Sequence, residues 1–458
     1  MATICIPLLG KGATNHLHKV ELVQAFAARG VRITFLVRRD YEDLLDKLPG
    51  CDYVAYDIPV PSGLAGKVLR FLVDLRYIYP SSDPWRKWRH EQICLYTPRL
   101  LSRLVLKVLF MAAHFRWVMS AAVAIEGWIY RRTDSFEDLK KINADLFFVL
   151  GAGTWADAPS CRIVWHCRAL NIPVVNFIAN YDGLCSKGYR GVPVDCLLVW
   201  GDRMAEDAMG LHAISAERVH QIGALRYNMI DQADIMSRSE FFAHCGLNPD
   251  ARTIVFAGSS YSFHYFEAVA AFDELKSRAQ DPLQLIIRIY PNRQLLKSGY
   301  ISTLIDYASR RDDVWVSVGD PYYFKRETDD DVIKIDEHEL WSMLKHCDVV
   351  INIFSTLTLE ACIFDKPVIN MWYFHHEGRA LKQAVFYPYP LTQHIRRVSE
   401  SGAAVLAEGR SQLVAAVSDA LRDRSRLADN RATFVAQECG DLDALAIDRL
   451  VDCVMHVV

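Results

Sequence analysis

Short apolar runs alternate with stretches of helical periodicity along almost the whole chain, the pattern of a parallel sheet covered by helices on both faces. Thr3 to Leu9 predicts a first strand, Leu17 to Arg29 a helix ended by Gly30, and Val31 to Val37 a second strand. That order is a βαβ unit with a right-handed crossover. After an irregular, proline-interrupted stretch from Pro49 to Pro98, the alternation resumes. Asp145 to Leu150 and Pro173 to Ala179 flank a helix over Asp157 to Leu170, and Cys196 to Trp200 and Val219 to Gly223 follow as strands. Arg226 to Glu240 reads as a connection between domains. A second alternation then runs through strands Thr253 to Ala257, Leu283 to Tyr290, Val314 to Val318, Val349 to Phe354 and Val368 to Trp372, and closes in helices over Ser411 to Arg422 and Ala428 to Val458.

With 458 residues the chain exceeds one ordinary core, and the pattern divides it into a first domain over 1–235, with a helical insertion near 85–132, a second over 236–425, and terminal helices over 426–458. A hydrophobic content of 51% makes it globular. The net charge of -3 gives no general attraction to nucleic acid. The 12 cysteines form no C-x-x-C pair and read as reduced thiols. The amino terminus opens on a strand, without the basic region and cleavage site of a signal peptide, so the expected location is cytoplasmic. The first loop, Gly10 to His16, has neither dinucleotide nor P-loop spacing.

The densest chemistry lies in Cys347 to Tyr373. Behind the strand Val349 to Phe354 come Ser355, Thr356 and Thr358, residues of N-cap and first-turn type, with Glu360 one turn on; Asp365, Lys366 and Pro367 break the helix. Hydroxyls and unsatisfied N–H groups at a helix N-terminus favour an anion. The same hydroxyls equally suit a plain helix cap. The segment resembles the "ST-x-x-LEA-x-x-x-x-KPV" stretch of nucleotide-sugar glycosyltransferases of the GT-B fold, particularly bacterial surface-polysaccharide enzymes; the matching residues are Ser355, Thr356, Leu359, Glu360, Ala361, Lys366, Pro367 and Val368.

The resemblance implies an α/β fold of two Rossmann-like domains facing across a cleft. It places Ser355 and Thr356 on the donor diphosphate and Glu360 near the ribose, with Thr358 beside them. The strand end Arg288-Ile289-Tyr290-Pro291 resembles the family's "R-x-[HY]-P" and puts Arg288 on the donor side. Read without it, Arg288 pairs with a core carboxylate. Ser259 and Ser260, in the loop after Ala257, and His376, in the polar loop His375 to Arg379, join the same donor edge. On the acceptor side, a histidine of the first βα loop faces the hydroxyl in such enzymes. His16 at the loop's end is preferred to His18 within the helix, with a pKa expected near working pH. Gly12, Asn15, Asn180 and Tyr181 lie on that side; Asp182 either assists the base or makes an Asx-turn.

No metal is expected. Asp329 and Asp331 have the D-x-D spacing that binds Mn²⁺ in glycosyltransferases of a different fold, but their setting, KRETDDDVIKID, reads as a charged surface loop. Asp336 with Glu339 reads as a capping box. Leu100 to Tyr130 is apolar yet broken by charge; it is either buried, or it lies on the inner face of a membrane through Arg99, Arg103 and Lys107 with Trp117, Trp128 and Tyr130.

The expected activity is therefore metal-independent, cofactor-free transfer of a sugar from a UDP, CDP, GDP or dTDP donor to a hydroxyl of a glycan or lipid-linked acceptor. A nucleotide-sugar 2-epimerase and a non-catalytic nucleotide-sugar-binding protein are the alternatives.

Overall fold

The computed structural model describes residues 1–9, 11–39, 42, 45–57, 62–78, 108, 111–112, 115–152, 158–186, 188–189, 191–228, 230, 235–258, 263–290, 296, 298–318, 337–373, 375–376, 379–380 and 393–458. Arg99, Arg103, Lys107, Ser259, Ser260, Asp329, Asp331 and Asp336, singled out in the sequence, lie outside the described residues, and of Gly12, Asn15 and His376 only the backbone is described.

The chain divides into two compact units. Unit 1 comprises Met1–Met229, Leu391–His394 and Ala436–Val458; unit 2 comprises Ile230–Pro390 and Ile395–Val435.

Unit 1 is built on seven parallel strands: β1 (Thr3–Leu8), β2 (Arg32–Arg38), β3 (Asp52–Tyr56), β4 (Leu146–Leu150), β5 (Val174–Phe177), β6 (Cys196–Val199) and β7 (Val219–Gln221). Their order in the sheet is β3-β2-β1-β4-β5-β6-β7. Strands β1, β4, β5 and β6 are buried almost throughout, because helices cover both faces. The order reverses between β1 and β4, the kind of point at which open parallel sheets bind ligands beyond the carboxyl ends of their strands.

Two elements depart from the sequence pattern. The loop expected over Gly10 to His16 is largely the helix Lys11–Leu17; a second helix, Val20–Ala28, follows after a break at His18 and Lys19. The stretch expected to be irregular contains β3 and the helix Gly63–Ile78. Pro59 and Pro61 precede that helix and so do not interrupt it, and Leu69, Leu72 and Leu75 recur on its buried side. It packs beside the helix Arg116–Thr133, where the fully buried Arg76 guanidinium donates to Glu126 at 3.0 Å.

The terminal helix Ala446–Val457 belongs to unit 1, and Arg29 beside it donates to Asp452 at 2.7 Å. The preceding turn demands glycine. Gly440 has φ +67°, and a Cβ there would lie 2.7 Å from the Trp200 carbonyl oxygen.

Unit 2 is built on β8 (Arg252–Ala257), β9 (Leu283–Arg288), β10 (Val314–Ser317), β11 (Val349–Asn352) and β12 (Val368–Met371), followed by the two-stranded ribbon β13 (His375–His376) and β14 (Arg379–Ala380), and then β15 (Ala404–Ala407). The main sheet is parallel in the order β10-β9-β8-β11-β12-β15, and its reversal falls between β8 and β11. Phe256, Ile287, Ile351 and Ile369 from neighbouring strands pack into one core with Phe272 and Leu275 of the helix Phe263–Arg278. Burial pushes the thiols of Cys347 and Cys362 up to about 12, so both sit in this interior as neutral groups.

Candidate functional site

Parallel sheets present ligand sites where strand order reverses, since the loops there diverge to opposite faces and leave a crevice lined by helix N-termini. Ser355 and Thr356 follow β11 at the reversal in unit 2, and the helix that carries His16 follows β1 at the reversal in unit 1, whereas Arg288 ends β9 and Asn180 to Asp182 follow β5.

In unit 2 the reversal is flanked by Gly258 after β8 and by Ile353 to Thr356 after β11. Gly258 is fixed by packing, because a Cβ would meet the Tyr265 ring at 2.1 Å; the Tyr265 hydroxyl in turn accepts the Tyr290 N–H at 2.9 Å.

The turn after β11 is set by a polar group that sequence reading missed. Asn352 and Asn370 are register partners on β11 and β12, both buried. Between them, Thr358 Oγ1 accepts from Asn352 Nδ2 at 2.9 Å and donates to Asn370 Oδ1 at 3.0 Å. The Ser355 hydroxyl donates to Asn352 Oδ1 at 3.0 Å, and its Oγ accepts the Leu357 N–H at 3.3 Å. Phe354, with φ 45°, is a bulky buried residue held in the left-handed region, a strained position that persists only where its surroundings impose it. A signal for this group was present in the chain: Val-Ile-Asn recurs at 350–352 and 368–370, and a carboxamide in an apolar strand needs buried partners.

These contacts sort the donor-side calls. Thr358 is spent inside the fold rather than on a ligand. Thr356 is the N-cap of the helix Leu357–Ile363, is exposed and makes no side-chain cap bond. Ser355 is half-buried beside it, and Glu360 is buried on the same helix. Arg288 is corrected as well: it is buried, and its Nη1 donates to Ser317 Oγ at 2.6 Å and to the Glu339 carboxylate. Glu339 also lies 3.5 Å from His244. The core-carboxylate reading of Arg288 is therefore the one the contacts match.

In unit 1 the reversal is flanked by the helix Lys11–Leu17 after β1 and by Gly151 and Ala152 after β4. Asn176 on β5 holds the latter turn, its Oδ1 accepting the Ala152 N–H at 3.0 Å. His16 lies in the last turn of its helix, not at a loop's end. Burial first, then the charges of Arg226 and Lys19, lower its pKa to about 3, far from the working range expected of it. Arg226, on the short helix Leu225–Asn228, was read as linker and is thus a cationic neighbour the sequence pattern did not place. His18 bridges the two helices, with Nε2 2.9 Å from the Tyr53 hydroxyl, which makes it a packing residue.

Asn180 is exposed, and its carbonyl accepts the Gly183 N–H at 2.8 Å. Tyr181 is buried, with its ring edge-on to His394 at 5.4 Å. The Asp182 carboxylate accepts from Ser186 Oγ at 2.8 Å, and its backbone carbonyl accepts the Ser186 N–H at 3.0 Å. Among the described residues no cluster of His, Cys, Asp and Glu could hold a metal ion.

No protein-family model matches the sequence, and no curated protein matches it at a significant level. Solved structures match over the full length. The UDP-GlcNAc 2-epimerase of Neisseria meningitidis bound to UDP-GlcNAc superposes with a TM-score of 0.54 at 10% identity, covering 100% of both chains. A glycosyltransferase of Rickettsia africae gives 0.50 at 10% identity, covering 100% of this chain and 98% of the other. A single-residue variant of the wall teichoic acid polymerase TagF gives 0.50 at 11% identity, covering 99% of this chain and 88% of the other. The chain has the GT-B fold.

Replacing Thr358 by Val removes the hydroxyl that joins two buried amides and should cost about 1–3 kcal/mol of unfolding free energy, measured by chemical denaturation. Wild-type stability in T358V would mean that the network does not hold the turn. For His16, the unfolded imidazole takes up a proton near pH 6.5 that the folded one refuses until about pH 3. This group therefore lowers stability as pH falls through that window. Its ring proton shifts in NMR should stay constant from pH 8 to 5, and an inflection near 6.5 would place the ring in solvent.

Proposed function

We propose that this chain is a nucleotide-sugar-dependent glycosyltransferase that moves a sugar to a hydroxyl of a glycan or lipid-linked acceptor, using UDP, CDP, GDP or dTDP donors and neither metal nor resident cofactor. The observation that carries the reading is that Ser355 and Thr356 follow β11, and the helix bearing His16 follows β1, at the reversal points of their sheets.

In unit 2, Thr356 and Ser355 with the first turn of the helix Leu357–Ile363 receive the diphosphate, and the helix N-terminus stabilises the charge that develops on it as the sugar departs. Glu360 serves the ribose. Because Arg288 is held by Glu339, it supports this edge from behind and does not clamp phosphate. In unit 1, His16 is a neutral imidazole over the whole physiological range and accepts the acceptor proton late, as the hydroxyl bonds to the anomeric carbon; Asn180 orients that hydroxyl.

A second reading has support of its own kind: full-length neighbours include UDP-GlcNAc 2-epimerases as well as glycosyltransferases. An epimerase converts the nucleotide sugar with no acceptor at all.

The test has two arms. Calorimetric titration with UDP, CDP, GDP and dTDP identifies the base, and for the best of them the double variant S355A/T356A should bind about 1–3 kcal/mol more weakly with the fold intact. Equal affinity would remove this site. Incubation of the matching nucleotide sugar with and without a glycan or lipid-linked acceptor should release nucleoside diphosphate only when the acceptor is present and should be unaffected by EDTA. Epimerised product without acceptor would establish the second reading, and loss of turnover on chelation would return Asp329 and Asp331 to consideration.

A further inference from the structure

The helix Arg116–Thr133 in unit 1 is organised to cover something. Its inner side, Met119, Ala122, Val123, Glu126, Gly127 and Tyr130, is buried. On its outer side the residues that recur at helical spacing are Trp117, Ala121, Ile125 and Trp128, and the three large ones are 71%, 46% and 51% exposed. Tyr130, which the sequence pattern assigned to a membrane interface, is on the buried side. Phe115 extends the apolar stripe at the helix start, with its ring 6.3 Å from that of Trp117.

Cations close both ends of the stripe: Arg116 at one, Arg131 and Arg132 at the other, with the Arg132 guanidinium 4.5 Å over the Trp128 ring. The helix holds one carboxylate, Glu126, and that is buried against Arg76. The adjoining helix Gly63–Ile78 repeats the composition on its exposed side, with Leu64, Phe71, Lys67 and Arg70. No helix among the described residues is long and apolar enough to cross a membrane.

We propose that this face is a docking surface for an anionic lipid bilayer, on which the helix lies flat with its indoles at headgroup level. The distribution of charge and ring type argues for that occupant. Tryptophan favours the headgroup boundary because its ring is apolar with one polar edge, and guanidinium groups at both ends of the stripe suit a sheet of anionic headgroups. A second copy of this chain would set the same cations against each other, so like-charge repulsion opposes self-association through this face. The inference is independent of the donor chemistry proposed for unit 2.

Vesicle flotation tests it on the full-length protein, with pure phosphatidylcholine vesicles against vesicles containing about one third phosphatidylserine. Wild type should float with the anionic vesicles at low salt and largely detach in about 0.5 M salt, where the Debye length falls to a few ångströms. R131Q/R132Q should bind about fivefold more weakly for each guanidinium removed, and W117A/W128A at least tenfold more weakly, while the far-ultraviolet circular dichroism of both matches wild type. Wild type remaining with the soluble fraction on anionic vesicles at low salt would overturn the proposal. So would sedimentation showing a wild-type dimer that W117A/W128A converts to a monomer, since the face would then be covered by a second copy. So, finally, would equal binding to both vesicle types.

Discussion

A single buried hydroxyl, Thr358, decides the geometry of the unit 2 site. It satisfies the carboxamides of Asn352 and Asn370, which sit side by side at the ends of β11 and β12. Left without it, two amides deep in the sheet would each carry the desolvation cost of an unmade hydrogen bond. The helix Leu357–Ile363 begins beside this network, Phe354 next to it holds a left-handed backbone conformation, and Thr356 stays outside it. The proposed ligand edge is thus a by-product of how the core is satisfied. Thr358 holds it from inside, Thr356 faces outward, and the half-buried Ser355 stands between the two with its hydroxyl on Asn352.

The same division runs through the rest of the chain. The alternation of strands and helices was legible because each strand is buried on both faces and so reads as an apolar run; β8, β9, β11 and β12 fell within a residue or two of their expected places. The helix Lys11–Leu17 was not legible, since Gly12, Thr14 and Asn15 read as loop residues and only packing against the sheet makes them helical. The helix Gly63–Ile78 was hidden by the prolines that precede it. Of the candidate site residues, their gathering at the sheet edges followed from element order alone. Which of Ser355, Thr356 and Thr358 turns inward did not, because the choice depends on Asn370, twelve residues beyond Thr358.

Electrostatics accounts for the two largest revisions. Arg288 at a strand end looks like an anion ligand in sequence, but a buried guanidinium requires a carboxylate, and Glu339 supplies it. His16 looks like a base poised near neutrality, but its surroundings withdraw solvent and add the positive charge of Arg226, and both effects favour the neutral ring. An imidazole held this way is a hydrogen-bond partner before it is a proton acceptor, so any catalytic role depends on negative charge that the ligand brings.

The central claim is that a nucleoside diphosphate is received at the reversal point of the unit 2 sheet. Amide hydrogen exchange, followed with and without saturating nucleoside diphosphate, tests it most directly. Exchange should slow at Gly258 and over Ile353 to Glu360, with β9 and β10 unchanged. Protection confined to the unit 1 edge around Lys11–Leu17, with Ile353 to Glu360 exchanging as in the free protein, would contradict it.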